Sequence, residues 1–153
     1  MRALVTGGAG FIGSHLVDQL VGNGYDVRIY DNLSSGKLSF LEHLGDGIEF
    51  IKADLLDLEK VKEALQDIDV VFHMAANPDI RLGTEITDTD LEQGTIATYN
   101  VLEAMRLSGV NKIAFASSSV VYGEATQMPT SEDYGPCLPI SLYGASKIGS
   151  EGL

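Results

Sequence analysis

Short apolar runs alternate along the chain with segments whose apolar residues recur at helical spacing. The runs, which have the length and composition of buried strands, cover residues 2–5, 27–30, 48–51, 69–73 and 112–116. The apolar helical positions between them are Ile12, Leu16 and Leu20, then Leu58, Val61 and Leu65, then Leu102 and Met105. Strands that alternate with helices predict a doubly wound α/β fold, a parallel sheet with helices on both faces.

Two segments without periodicity separate the later elements. A loop from Asn77 to about Gly83 precedes a long helix that ends near Gly109. Residues 123–139 hold three of the four prolines, and a final helix begins near Ser141. Long loops inside a compact domain are usually functional. Ligands of such folds bind at the carboxyl ends of the strands, so we expect the site at that edge.

Charge and composition exclude several classes of function. The 153 residues include 22 acidic and 10 basic side chains, a net charge of −12, which argues against nucleic acid or an anionic membrane as partner. Cys137 is the only cysteine, and the three histidines lie far apart, so neither a disulfide nor a metal site is expected. We find no signal peptide and no apolar run of about 18 residues, and we therefore expect a cytoplasmic protein.

A glycine-rich turn joins the first strand to the first helix. Residues 6–13 read TGGAGFIG, in which Gly8, Gly10 and Gly13 satisfy G-x-G-x-x-G and Gly7 begins an overlapping version. In dinucleotide-binding turns these glycines permit the bend, the approach of the phosphates and close packing of the helix. On spacing alone, an ordinary tight strand-to-helix connection accounts for the turn equally well. Together with the alternating elements, the turn predicts a Rossmann-type fold.

An acidic residue ends the second strand. Asp31 lies about 20 residues beyond the glycine turn, where a carboxylate can accept a hydrogen bond from a ribose 2′-hydroxyl. No arginine lies beside it to hold a 2′-phosphate, and the nearest downstream cation is Lys37. The sequence therefore favours NAD over NADP as the cofactor.

A tyrosine and a lysine lie four residues apart near the end of the chain. On a helix, Tyr143 and Lys147 would share one face. A tyrosine titrates near pH 10, so it needs roughly 4 kcal/mol of preferential phenolate stabilisation to act near neutrality, and a neighbouring cation acts in that direction. Taken alone, the pair is more often two unrelated residues on a solvated helix than a catalytic pair, because Y-x-x-x-K is common by chance. Three serines at 117–119, just after the fifth strand, add a candidate hydroxyl, although serines also cap strand ends.

The motifs together resemble the extended short-chain dehydrogenases/reductases, in the NAD-dependent epimerase/dehydratase family. Nearly the whole chain takes part in the resemblance. The matching strings are TGGAGFIG at 6–13, DNLSSG at 31–36, ADLLD at 53–57, HMAA at 73–76, NVLEA at 100–104, ASSSVVYG at 116–123 and PISLYGASK at 139–147.

The resemblance implies a role for each matching residue. The family's aspartate at Asp31 holds the adenosine ribose, its Asp-Leu pair at Asp54 and Leu55 borders the adenine, and Ser118, Tyr143 and Lys147 are catalytic. The residues that the resemblance assigns to NAD are Gly7, Gly10, Phe11, Ile12, Gly13, Asp31, Asn32, Asp54, Leu55, Ala75, Ala76, Tyr143 and Lys147.

The same resemblance implies an activity, a nucleotide-sugar 4-epimerase acting on a UDP-sugar. Related dehydratases and decarboxylases carry acidic residues just after the catalytic serine, where this chain has Ser119 and Val120, so neither reaction is expected. The chain departs from the family at Gly94, where an asparagine is common, and its last helix contains Gly149 and Gly152.

Three readings of the function stay open at this point. A reductase or dehydrogenase could use the same scaffold, and a non-catalytic NAD-binding module would need only the glycine turn. Family members continue into a substrate domain, so we expect residues 1–153 to be the NAD-binding domain with the Tyr143 helix, truncated before that domain. The family also implies a homodimer for the full-length protein.

Overall fold

A computed structural model describes residues 1–153, which divide into two compact units. The first unit consists of Met1–Ala76 and Asn100–Ala116, and the second of Asn77–Tyr99 and Ser117–Leu153.

The first unit contains a five-stranded sheet in the order β3-β2-β1-β4-β5. Every pairing is parallel, and Val5 of β1 lies beside Ile29 of β2 and Phe72 of β4. The strands are β1 (Arg2–Thr6), β2 (Asp26–Asp31), β3 (Ile48–Lys52), β4 (Val70–His73) and β5 (Ile113–Phe115). The order reverses direction at β1, and right-handed connections then place the helices before and after the reversal on opposite faces. The predicted Rossmann-type doubly wound α/β fold is confirmed.

Four of the five helices of the chain were predicted, and these four occur in the predicted order. The five helices are α1 (Phe11–Gly22), α2 (Leu58–Ala64), α3 (Leu82–Glu85), α4 (Ala97–Ser108) and α5 (Leu142–Glu151), with short 3₁₀ segments at Leu38–Phe40, Glu42–Gly47 and Ser119–Tyr122 and a π segment at Leu91–Ile96. No helix has both the length and the apolar composition needed to cross a membrane.

The core of the first unit lies where α1 packs on the strands. Val5, Val17 and Ile29 are fully buried there, and Leu16 packs on this cluster from its edge. The sequence placed Ile12 in the same apolar stripe, but Ile12 is 69% exposed. A four-residue step turns an α-helix by more than one full turn, so the stripe drifts, and the buried face begins at Gly13 instead.

The second unit contains α3, the π segment, the start of α4, the last 3₁₀ segment and α5. We expected a plain loop followed by one long helix, but α3 interrupts that loop and the π segment precedes α4. Residues 123–139 contain no helix or strand, as predicted. The final helix begins where expected, since the Ser141 hydroxyl caps α5 by accepting from the Gly144 N–H at 3.0 Å.

Candidate functional site

The glycine turn of the first unit is packed too closely for side chains. Gly7 has a φ of +67°, and a Cβ there would lie 2.7 Å from the Ala75 backbone. A Cβ on Gly13 would overlap the Gly7 carbonyl oxygen. The turn therefore needs glycine at both positions, one for its left-handed backbone and one for the approach of α1.

The N-terminus of α1 is open to a ligand. Gly10 is its N-cap and provides no side-chain acceptor, and the first turn carries no acidic residue. The first N–H groups of an α-helix have no intrahelical partner, so this end can receive an anion. Phe11 and Ile12, beside these N–H groups, are 73% and 69% exposed. Such a cradle fits the pyrophosphate of a dinucleotide.

Asp31 links the end of β2 to the glycine turn. Its Oδ2 accepts from the Ala9 N–H at 3.0 Å, and its Oδ1 accepts from the Leu33 N–H at 2.8 Å. The side chain is largely buried, so both bonds fix the carboxylate at the carboxyl end of the sheet. Each oxygen has a second lone pair with which to accept from a ribose hydroxyl.

The other predicted cofactor residues of the first unit lie near the same strand ends. Asn32 donates from Nδ2 to Asp54 Oδ2 at 2.9 Å, which ties the ends of β2 and β3 together. Ala75 packs on the glycine turn and donates its N–H to Thr6 Oγ1 at 3.3 Å. Leu55 is buried, and Ala76 is half-buried at the end of this unit.

His73 has the surroundings of a structural residue. It is 1% exposed, its Nδ1 lies 2.6 Å from Thr6 Oγ1, and its ring stacks on Phe115 with centroids 5.6 Å apart. These contacts satisfy a buried imidazole, so His73 belongs to the core of the strand end.

Three predicted catalytic residues meet in the second unit. Tyr143 and Lys147 share one face of α5, with Lys147 Nζ 5.7 Å from the centre of the Tyr143 ring. The Ser118 side chain lies close enough to Tyr143 for a hydrogen bond between them to act on the Tyr143 pKa. Lys147 is 3% exposed, and its burial lowers its pKa from 10.5 to about 8.

The electrostatics of Tyr143 differ from the expectation. Burial raises the pKa of Tyr143 above its ordinary value, the Asp90 carboxylate raises it further, and the hydrogen bond with Ser118 acts in the opposite direction. The ammonium of Lys147 lies over the ring. In this structure Tyr143 is therefore a protonated phenol at neutral pH, and further positive charge is needed to make it a base.

Asp90 is a residue that sequence reasoning missed. It is 1% exposed, and its Oδ1 accepts from Asn77 Nδ2 at 2.9 Å. Its Oδ2 has no hydrogen-bond partner and lies against Gly83, where a Cβ would overlap it. Several acidic residues precede it in the sequence, and no periodic signal distinguishes the buried one.

Glu151 is the second residue that was missed. It follows Tyr143 and Lys147 at the same four-residue spacing, and its Oε1 accepts a hydrogen bond from the Ser117 hydroxyl. The Glu151 carboxylate also acts to raise the pKa of Lys147, against the larger effect of burial. The repeated spacing is a sequence signal that could have identified it.

The departure at Gly94 has a structural explanation. A Cβ at this position would lie 2.5 Å from Ser146 Oγ and 2.8 Å from Ser146 Cβ. The π segment and α5 thus approach each other through a glycine, and an asparagine would not fit opposite Ser146.

Comparison with known proteins places these features in a family. The family model described as NAD dependent epimerase/dehydratase matches residues 3–153. A putative UDP-glucose 4-epimerase of Methanocaldococcus jannaschii is 44% identical over 151 residues, which cover 97% of this chain and 48% of that protein. A UDP-N-acetyl-alpha-D-glucosaminuronate decarboxylase of Bacillus cytotoxicus is 43% identical over 148 residues, covering 96% of this chain and 44% of that protein.

Solved structures give the same result. The crystal structure of the Thermus thermophilus UDP-glucose 4-epimerase in complex with NAD matches with a TM-score of 0.91 and 39% identity, covering 99% of this chain and 49% of that one. A crystal structure of a UDP-galactose 4-epimerase matches with a TM-score of 0.90 and 49% identity, covering 99% of this chain and 50% of that one. The chain spans about half the length of the relatives it matches. It belongs to the NAD-dependent epimerase/dehydratase family.

Proposed function

We propose that the full-length protein is an NAD-dependent nucleotide-sugar 4-epimerase acting on a UDP-sugar. The observation that carries the proposal is the grouping of three side chains in the second unit: Ser118 acts on the Tyr143 phenol through a hydrogen bond, and Lys147 Nζ lies 5.7 Å from the centre of the Tyr143 ring. The relatives named as UDP-glucose 4-epimerases support the choice of reaction and of substrate class.

The residues of the first unit provide the binding surface for the cofactor. The open N-terminus of α1 would hold the pyrophosphate, with Phe11 and Ile12 alongside, and Asp31 would accept from the adenosine ribose. Asn32, Asp54 and Leu55 would lie by the adenine, and Ala75 and Ala76 by the nicotinamide. When bound, NAD supplies the acceptor and donor of hydride at the sugar C4.

The residues of the second unit provide the proton chemistry. Tyr143 takes the proton of the sugar 4-hydroxyl when its phenol is deprotonated, and returns it when the hydroxyl is restored on the other face. Lys147 contributes positive charge next to the Tyr143 ring, and Ser118 orients the hydroxyl through its hydrogen bond. Lys147 would also bond the nicotinamide ribose when NAD is bound. Because NAD would take up the hydride and return it to the same carbon, and Tyr143 would do the same with the proton, the overall reaction would involve no net redox change.

Decarboxylation is the alternative reaction, since one of the relatives is named as a decarboxylase. The carboxylate that the family resemblance associates with that reaction is missing here, because the two residues after Ser118 are Ser119 and Val120. This absence favours epimerisation. A reductase of the same scaffold would instead release NADH.

The test uses the full-length protein with UDP-glucose and, separately, with UDP-galactose. We expect product chromatography to show interconversion of the two sugars, with no accumulation of free NADH and no release of carbon dioxide.

Tyr143→Phe should lower kcat by roughly 10²–10⁴ while leaving NAD binding intact, because it removes one oxygen and keeps the ring. Tyr25→Phe, at the edge of the first unit's core, is the matched control and should leave kcat unchanged. Net NADH formation, or full activity in Tyr143→Phe, would refute the proposal.

The full-length protein is also proposed to be a homodimer, as the family resemblance implies. Sedimentation at micromolar concentration would test this, and a monomer would contradict it.

A further inference from the structure

Two neighbouring serines, Ser117 and Ser118, interact with two residues on one face of α5. Tyr143, Lys147 and Glu151 recur at four-residue spacing and therefore share a helix face. Ser118 forms a hydrogen bond with Tyr143, and Ser117 donates one to Glu151. Lys147 lies between the two anchored residues.

The backbone explains how adjacent serines can reach residues that lie two helical turns apart. Ser118 is extended, with φ −157° and ψ 148°. In extended backbone, successive side chains point in opposite directions. Neighbouring side chains of this segment can therefore reach different residues of α5, and Ser118 Oγ also accepts from the Val120 N–H.

Burial disfavours the charged form of Lys147, so a nearby negative charge stabilises the ammonium. It is 3% exposed, and an ammonium is disfavoured by burial. Its pKa of about 8 lies close to neutrality, so a modest further loss of stabilisation would leave much of it uncharged. Glu151 is a carboxylate that acts to retain the proton.

We propose that Glu151, anchored by Ser117, is a positioning residue that keeps the Lys147 ammonium charged beside Tyr143. The inference rests on the proposed function, in which that charge supports Tyr143 as a base. In this role Glu151 acts through Lys147.

Other elements packed against α5 also carry titratable groups that could act on Lys147. Asp90 is the N-cap of the π segment and acts on Tyr143, and Glu92 lies in the first turn of that segment. Neither Asp90 nor Glu92 is among the groups that shift the pKa of Lys147. The helix α3 carries Glu85, and the 3₁₀ segment carries Tyr122, and neither is among the groups that shift the pKa of Lys147. Glu85 therefore provides a matched control on a neighbouring helix.

The experiment measures the proton affinity of Lys147 directly in the full-length protein without substrate. Lysine is labelled with ¹³C at Cε, its signals are followed by NMR as the pH is raised, and Lys147→Arg identifies the Lys147 signal by removing it. Glu151→Gln should lower the pKa of Lys147 by about half a unit or more, because a nearby carboxylate is lost. Ser117→Ala should lower the pKa of Lys147 by a smaller amount. Glu151→Asp keeps the carboxylate and should retain most of the parent's pKa, and Glu85→Gln should leave the pKa of Lys147 unchanged.

Activity provides the second readout. In Glu151→Gln the fall of kcat at high pH should begin at lower pH, while KM changes little. An unchanged Lys147 titration in Glu151→Gln would overturn the inference. If that variant fails to fold, an unchanged titration in Ser117→Ala would do so. The titration requires no turnover. A shifted Lys147 pKa in a protein that does not epimerise would support the role of Glu151 and refute the proposed function alone.

Discussion

Gly94 and Ser146 pack against each other so closely that residue 94 has no room for a side chain. A Cβ on Gly94 would lie 2.5 Å from Ser146 Oγ, at the contact between the π segment and α5. The helix that carries Tyr143 and Lys147 is thus held against its neighbour by backbone at this point.

The first prediction follows from that contact. Gly94→Ala should lower the free energy of unfolding by about 1–3 kcal/mol, because the added methyl overpacks the helix contact. Ser146→Gly in the same chain should recover part of the loss. Gly22→Ala, in α1 with open space around it, is the control and should stabilise by about 0.5–1 kcal/mol. Denaturant unfolding measures all three, and a Gly94→Ala variant as stable as the parent would contradict the packing argument.

The second prediction concerns the choice of cofactor. The full-length protein should bind NAD at least about tenfold more tightly than NADP, because Asp31 repels a 2′-phosphate, a difference of about 1.4 kcal/mol. Asp31→Asn should narrow that ratio and also loosen the glycine turn, since one amide oxygen cannot replace both carboxylate oxygens that accept from Ala9 and Leu33. Calorimetric titration with both cofactors measures the ratio. Asp46→Asn, an exposed carboxylate, should change nothing, and tighter NADP binding by the parent would reverse the assignment.

The third prediction concerns Asp90 and the titration of Tyr143. Asp90→Asn should lower the pKa of Tyr143, because one of the causes that raise it is removed. The acid limb of the kcat–pH profile should therefore move to lower pH. The ultraviolet tyrosinate signal of Tyr143, identified by its loss in Tyr143→Phe, should appear at lower pH in a titration. Asp88→Asn, an exposed carboxylate nearby, serves as the comparison. A profile that moves equally in both variants would show that Asp90 has no special effect on Tyr143.

The fourth prediction concerns the cost of burying Lys147. Its folded-state pKa of about 8 lies below the ordinary 10.5, so the unfolded chain binds more protons between these values. Below about pH 8 the penalty is fully present, about 3 kcal/mol, and it disappears as the pH rises through 10.5. The free energy of unfolding should therefore rise across this window in the parent and lack that rise in Lys147→Met. Lys112→Met, at an exposed position, should retain the parent's slope, and identical slopes in all three proteins would contradict the burial effect.

The sequence predicted the fold because its signals are local. Alternating runs and stripes give strands and helices, and Ser141 and the glycine turn mark where α5 and α1 begin. Ile12 was misplaced because apolar spacing alone does not fix the centre of a buried face. The π segment could not be predicted, since no sequence period reports the contact between Gly94 and Ser146.

The candidate site was predicted unevenly for a similar reason. Motifs located the glycine turn, Asp31 and the Ser118, Tyr143 and Lys147 group, whose roles remain predictions. Asp90 is one of 22 acidic residues, and only its burial distinguishes it from the others. Glu151 repeats the four-residue spacing of Tyr143 and Lys147, and its hydrogen bond with Ser117 is visible only in the structure. The direction of the Tyr143 pKa depends on those same surroundings.

The division of the chain into two units has a consequence for protein engineering. Each unit is made of two separate stretches of sequence, with junctions after Ala76, Tyr99 and Ala116. A single cut therefore cannot release either unit intact, and neither can be transplanted as one continuous cassette. A chimaera that exchanges the tyrosine-bearing unit for that of a relative needs crossovers at all three junctions, and the last of them lies immediately before Ser117 and Ser118.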